Sequence, residues 1–397
     1  MRFVHFADCH IDGYKDLRLA KLGHDNFKYV IGFALEKEVD FVLLAGDLFN
    51  TALPRVDALK FVTAQLKRLS MAKIPVYIIP GSHDYSPHGR TMLDVLELAG
   101  LVINVAKGEL TEKGDLKLEF TKDPKTNVLI TGIMGRAGML DQQQYRKIDT
   151  TDIPVGKKIF MFHTAIQELK TPKLESMDAS PLDLLPSGFT YYAGGHVHIV
   201  NKFSSERYKD VVYPGPTFPN SFSELDDLRR GSFVYYDNDD FEHLFIPSKE
   251  VVSLKVDCSG LTSEEAHEKI SLAIEKETLD QAIVLIRLFG TVEGKTSDMD
   301  MKSLVERCYD KGAYIVLKNT NKLYSKLFEE LTASSVAHQD VEKETIEEHL
   351  GQLPFSGDEK RCIKELLQSL DKEQADGEKK TVFQERMVDL AQHILEQ

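Results

Sequence analysis

Short apolar runs separated by Gly, Pro and Asp recur along the first 250 residues, at 3–7, 41–45, 76–79, 128–133, 159–162, 191–193, 211–213 and 233–236. Runs of this length, mostly apolar and bounded by turn formers, predict buried strands. Between the early runs the spacing changes. Phe27, Val30, Ile31 and Ala34 in 24–37, and Leu59, Val62, Leu66 and Leu69 in 56–70, recur at three and four residues and predict amphipathic helices. Strand and helix alternate first and strands dominate later, which predicts a layered α/β domain.

After Pro247 the pattern restarts. Strands are expected at 251–256, 283–289 and 314–317, and helices after Ser263, read as the N-cap with Glu265 in the first turn, and at 302–309. This describes a smaller α/β module. From Val336 onward no strand pattern remains. Ile363, Leu366, Leu367 and Leu370, then Phe383, Met387, Leu390, Ala391 and Ile394, form two helical stripes joined by the polar link DKEQADGEKK. The expected organisation is a domain at 1–247, a capping domain at 248–330, a linker at 331–354 and a helical hairpin at 355–397.

Composition narrows the class. A chain of 397 residues supports two or three domains. No apolar run approaches the roughly 20 residues of a membrane span, and the start MRFVHFADCH carries no basic segment followed by an apolar one. An intracellular protein, in cytoplasm or nucleoid, is expected, with no membrane partner. The four cysteines are too scattered for a disulfide framework and are read as reduced packing residues. A net charge of −14 argues against a basic coat for phosphate backbones, but divalent cations can reverse the sign of a local site.

The strand ends carry the chemistry. The first run ends in ADCH, giving Asp8 and His10, and the second in AGDLFN, giving Asp47. The third ends in PGSHD, with Ser82, His83 and Asp84. Later runs end in FMFHT, giving His163, and in AGGHVH, giving His196 and His198. Ligands of α/β sheets bind outside the carboxyl ends of strands. Each fragment alone is weak; the ordered set is specific, because buried carboxylates and imidazoles need partners and here would find mostly one another. Oxygen and imidazole donors without thiolate suit Mn, Fe or Zn, and their number exceeds what one tetrahedral ion needs. Two divalent ions follow, with Asp47 as the candidate bridge, and their natural reaction is in-line hydrolysis of a phosphorus ester.

DxH, GD, GxHD, H and GHxH in this order resemble the calcineurin-like metallophosphoesterases. More narrowly, FVHFADCHIDG, LLAGDLFN, VVYPGPTFPNSF and the small module that follows resemble the Mre/SbcD-type nuclease subunit of double-strand-break repair. The resemblance covers about residues 1–330. It implies a β-sandwich flanked by helices with an α/β cap that binds DNA, and two ions, expected to be manganese. One ion would be held by Asp8, His10, Asp47 and His198, the other by Asp47, His163, His196 and the residue at 82. His83 would be the catalytic imidazole, protonating the departing sugar oxygen, with Asp84 orienting it. The implied activities are 3′-to-5′ exonuclease and single-strand endonuclease. The implied partners are DNA ends and single strands, a Rad-type coiled-coil ATPase gripped by the helical hairpin, and a second copy of the chain.

Two positions depart from the pattern. Ser82 stands where the family has Asn, and its shorter, neutral hydroxyl predicts weaker loading of the second ion. Cys9 stands where the family often has Trp, which leaves Tyr14 or Tyr85 to offer any stacking surface. His88, Arg136 and Arg146 read as surface residues before they read as substrate contacts. Two other functions compete with the nuclease: a DNA-end tether impaired by Ser82, and a phosphodiesterase of small nucleotides.

Overall fold

In the computed structural model the described residues are 1–85, 91–136, 142–175 and 177–326, with isolated positions between 362 and 394. Two six-stranded sheets organise the first part of the chain. The first sheet places Arg2–Phe6, Phe41–Ala45, Val76–Ile79 and Ile103–Asn104 side by side and parallel. Ser232–Asp237 and then Asp240–Phe245 are added antiparallel beyond Arg2–Phe6. The second sheet runs Val200–Phe203, Val211–Pro214, Tyr191–Gly195, Lys158–His163, Leu129–Gly132 and Thr121–Lys122, parallel at its centre and antiparallel at both edges.

Alternation along the strands explains why the runs are apolar at almost every position. Phe3, Phe41, Leu43, Tyr77 and Ile79 of the first sheet face Ile130, Ile159, Met161, Tyr191 and Val212 of the second in one buried cluster. Their neighbours Val4, Phe6, Val42, Leu44 and Ile78 point the other way, against Phe27, Val30 and Ile31 of helix Leu17–Glu36 and Val62, Leu66 and Leu69 of helix Val56–Met71. Each central strand is therefore buried on both faces. The far side of the second sheet is covered by loops carrying Ile166, Leu169, Leu182, Leu185 and Phe189. The result is a layered α/β sandwich, as the sequence pattern predicts and the resemblance implies.

Helix Leu17–Glu36 begins seven residues before the predicted start, capped by Asp16, whose carboxylate accepts from Arg18 N at 2.8 Å and Leu19 N at 3.4 Å. Past residue 247 come a three-stranded sheet of Val251–Asp257, Ile283–Val292 and Ile315–Ser325 and the helices Ser263–Lys276 and Met301–Asp310. The helix at 263 is capped one residue earlier than predicted: Glu265 N donates to Thr262 Oγ1 at 3.2 Å while Glu265 Oε2 accepts from Thr262 N at 2.9 Å. That reciprocal pair is a capping box. The chain divides into two compact units, Met1–Val256 with Lys269–Leu288 and Met301–Thr320, and Asp257–Glu268 with Phe289–Asp300 and Asn321–Gln397. The linker at 331–354 lies outside the described residues, as does most of the hairpin at 355–397, whose isolated described positions are helical. Cys9, Cys258 and Cys308 are buried, and among the described residues no two cysteines form a disulfide. Among the described residues no helix is long and apolar enough to cross a membrane.

Candidate metal centre

The parallel ladder of the first two strands continues past their ends: Asp8 N donates to Gly46 O at 3.1 Å, His10 N to Asp47 O at 3.0 Å and Ile11 N to Leu48 O at 3.0 Å. Asp8, His10 and Asp47 are thereby held in place by their backbone. The turn of the third strand end is held by Asp84, a buried carboxylate that accepts from Leu48 N, Phe49 N and Gly81 N at 3.0–3.1 Å. From the second sheet, Lys158–His163 presents His163, and the chain leaving Tyr191–Gly195 presents His196 and His198. Both sheets deliver ligands at their carboxyl edges.

The backbone there is strained. Asp8, His10, Asp47, His196 and His198 have φ of 52°, 40°, 52°, 96° and 48°, a region that residues other than Gly rarely occupy and that costs of order 1–3 kcal/mol each. Glycines make room for the side chains so turned. A Cβ on Gly46 would strike His163, one on Gly81 would strike Asp47, and one on Gly135 would strike the His163 ring.

Five of the six predicted ligands gather within 4.8 Å in overlapping triads: Asp8, His10 and His198; Asp8, Asp47 and His163; and His10, Asp47 and His83. Asp47 Oδ2 faces His163 Nε2 at 3.2 Å, Ser82 Oγ at 3.5 Å and His10 Nε2 at 3.6 Å. One carboxylate oxygen thus looks toward residues of both predicted ion sites. His196 joins through its N–H, 2.9 Å from Asp8 Oδ1, and through its ring, centred 5.1 Å from that of His163.

These donors fit divalent cations. His163 donates Nδ1–H to the Ala45 carbonyl at 2.8 Å, so its Nε2 is the ring nitrogen turned inward, fully buried and 3.2 Å from Asp47 Oδ2. His10 Nε2 and His198 Nε2 stand 3.0 Å apart, a separation at which two imidazoles share a proton or a cation. Burial depresses His10 and His196 to about 3, keeping both neutral and able to ligate. Burial opposes charge on His163 and Asp47 too, yet their mutual attraction wins, raising the imidazole and holding the carboxylate below its usual range. A positive charge is favoured beside Asp47.

His83 is exposed. Its backbone N–H donates to Asp47 Oδ1 at 2.8 Å, and its Nδ1 meets the Asn50 carbonyl at 2.9 Å, so Nε2 is the ring nitrogen not engaged by that carbonyl. The group orienting it is Asn50 rather than the expected Asp84, which is spent on the three backbone N–H groups. Cys9 is buried in the core, Tyr14 donates its hydroxyl to Pro219 O at 2.8 Å, and Tyr85 lies under the Arg136 guanidinium, 5.2 Å from the ring centre. Arg146 is exposed, and His88 lies outside the described residues. Sequence reasoning passed over Glu224, whose Oε2 lies 3.0 Å from His198 Nδ1. Its signal was the capping-box spacing of Ser221 and Glu224.

A profile of the calcineurin-like phosphoesterases matches residues 1–200, half of the chain and all six predicted ligands. The chain is a calcineurin-like phosphoesterase. Such a protein is a metal-dependent phosphodiester hydrolase, which is what this donor set is equipped to be. The phosphoesterase is 31% identical over 280 residues to the DNA double-strand break repair protein Mre11 of Methanocaldococcus jannaschii, covering 64% of this chain and 69% of the relative. Mre11 of Thermoplasma acidophilum is 27% identical over 313 residues, 75% of this chain and 79% of its own. The uncharacterized metallophosphoesterase YhaO of Bacillus subtilis is 28% identical over 268 residues, 64% and 62% of the two chains.

Proposed function

We propose that this phosphoesterase is a two-metal DNA nuclease of double-strand-break repair, an intracellular 3′-to-5′ exonuclease and single-strand endonuclease using manganese. The observation that carries the reading is the convergence of Asp8, His10, Asp47, His163 and His198 from the carboxyl edges of two sheets, in a chain similar over most of its length to double-strand break repair proteins. Asp8, His10, Asp47 and His198 would hold one ion, and Asp47, His163 and His196 the other. When bound, the ions supply Lewis acidity toward a phosphate oxygen and acidify water. His83, steadied by Asn50, offers Nε2 to the phosphate and passes a proton to the departing sugar oxygen.

Residues 248–330 would serve as the DNA-binding cap, 331–354 as linker, and 355–397 as the hairpin that docks a Rad-type coiled-coil ATPase, with the nuclease working as a homodimer. A small-nucleotide substrate would leave the cap and the hairpin without a task. The tether reading draws on Ser82, whose hydroxyl stops 3.5 Å from Asp47 Oδ2 in place of a longer amide.

Manganese-dependent digestion of end-labelled duplex and single-stranded DNA, beside hydrolysis of a chromogenic phosphodiester, tests the proposal. The nuclease reading expects both activities, abolished by His83→Ala. DNA binding without cleavage would favour the tether, and cleavage of the small ester alone would favour the nucleotide hydrolase.

A further inference from the structure

Glu224 belongs to a helix cap and touches the metal centre at the same time. It is the third residue of helix Phe222–Leu228, whose N-cap Ser221 accepts from Glu224 N at 3.2 Å. Glu224 Oε1 accepts from Ser221 Oγ at 3.2 Å, and Oε2 accepts from Asn220 N at 2.8 Å. Those bonds fix the carboxylate before any histidine is considered, so little side-chain freedom is lost when it takes one more donor. That donor is His198 Nδ1 at 3.0 Å.

The consequence lies at the opposite ring nitrogen. With Nδ1–H held by a carboxylate, neutral His198 carries its lone pair on Nε2, the atom 3.0 Å from His10 Nε2 and 3.9 Å from Asp8 Oδ1. The same cap reaches the loop that carries His10. Gly13 N donates to His10 O at 2.8 Å, and a Cβ at Gly13 would lie 2.5 Å from Asn220 Oδ1, so glycine leaves room for the Asn220 side chain there. Glu224 therefore holds His198 directly, and it holds the backbone of Asn220, whose side chain lies beside Gly13.

We infer that Glu224 is a positioning residue of the metal centre, fixing the tautomer and ring direction of His198 so that Nε2 faces the ion it would share with Asp8 and His10. The inference rests on the metal-centre reading above. A carboxylate in this position raises the basicity of the ligating imidazole, and its loss typically costs 10–100-fold in metal affinity.

The test compares manganese titrations, by calorimetry and by electron paramagnetic resonance of free Mn, for wild type, Glu224→Ala, Glu224→Gln and Ser221→Ala. Long-range nitrogen-15 correlation spectra of the metal-free proteins report the His198 tautomer. Glu224→Ala should weaken one of two ions about 10–100-fold and lose the pure Nδ1–H tautomer. Glu224→Gln, which keeps an acceptor without the charge, should fall between Glu224→Ala and wild type. Ser221→Ala, which removes the cap hydroxyl and leaves the Oε2 contact, should stay within about threefold of wild type. Unchanged affinity and tautomer in Glu224→Ala would overturn the inference while leaving the metal centre standing, and so would an equal loss in Ser221→Ala. A wild type that binds no manganese would remove the metal-centre reading and this inference together.

Discussion

His163 Nε2 stands 3.2 Å from Asp47 Oδ2, and the same oxygen is 3.6 Å from His10 Nε2. Neutralising Asp47 should therefore disturb both ion positions. Asp47→Asn is expected to reduce manganese stoichiometry from two to at most one and phosphodiester hydrolysis by more than the roughly 100-fold of an outer partner. Ion counting by mass spectrometry of the native protein, with hydrolysis rates, checks this; two ions at wild-type affinity would remove Asp47 as the bridge.

Gly135 lies against the His163 ring and donates its N–H to Pro80 O at 2.9 Å. A methyl group there has no space, and overpacking costs about 1–3 kcal/mol. Gly135→Ala should unfold at lower urea and lose metal affinity together. A change in neither would mean that the His163 ring can move freely aside.

Asp84 accepts from three backbone N–H groups. Leaving a buried donor unpaired costs roughly 1–3 kcal/mol each, so Asp84→Ala should destabilise the fold by at least about 3 kcal/mol in urea titrations. Were its role to orient His83 alone, turnover would fall with stability unchanged.

Much of this site could be read in the sequence because the strands that carry it are buried on both faces. Phe41, Leu43 and Ala45 face one core and Val42 and Leu44 the other, so the run is apolar throughout and its end is sharply marked by Gly46 and Asp47. What stayed hidden has physical reasons. The first turns of helix Leu17–Glu36 pack Leu19 and Leu22 against Phe218, Leu225, Val251 and Ile283, a different cluster from that of Phe27 and Val30, so the apolar stripe changes direction and looks shorter than the helix. Strand Asp240–Phe245 sits at a sheet edge with exposed positions and offers no buried run. Glu224 looked like any first-turn acid, since nothing in its local sequence places it beside His198, 26 residues earlier.

His5 gives the metal-free protein a pH dependence. Burial depresses its pKa to about 3, against the pull of the Gly194 carbonyl, while an unfolded histidine titrates near 6.5. Between those values the unfolded chain binds a proton that the folded one refuses, so stability falls as pH drops below about 6.5, at up to about 1.4 kcal/mol per pH unit from this residue. Urea unfolding of the metal-free protein between pH 7 and pH 4 should be less pH-dependent in His5→Gln by about that slope; parallel curves would contradict it.

Ser82→Asn restores a longer side chain beside Asp47 Oδ2. Manganese titration should show tighter binding of one ion and an equal or faster DNA cleavage rate in the variant. Equal affinity and equal rate in both proteins would show that the hydroxyl, or water beside it, serves as well as an amide.

The central claim is that carboxylates and imidazoles from four strand ends of two sheets hold a pair of cations. The most direct test is anomalous scattering from manganese-soaked crystals. The account predicts two peaks about 3.5–4 Å apart, with Asp47 between them, Asp8, His10 and His198 around one and His163 and His196 around the other. A single peak away from Asp47, or none at this edge, would contradict it.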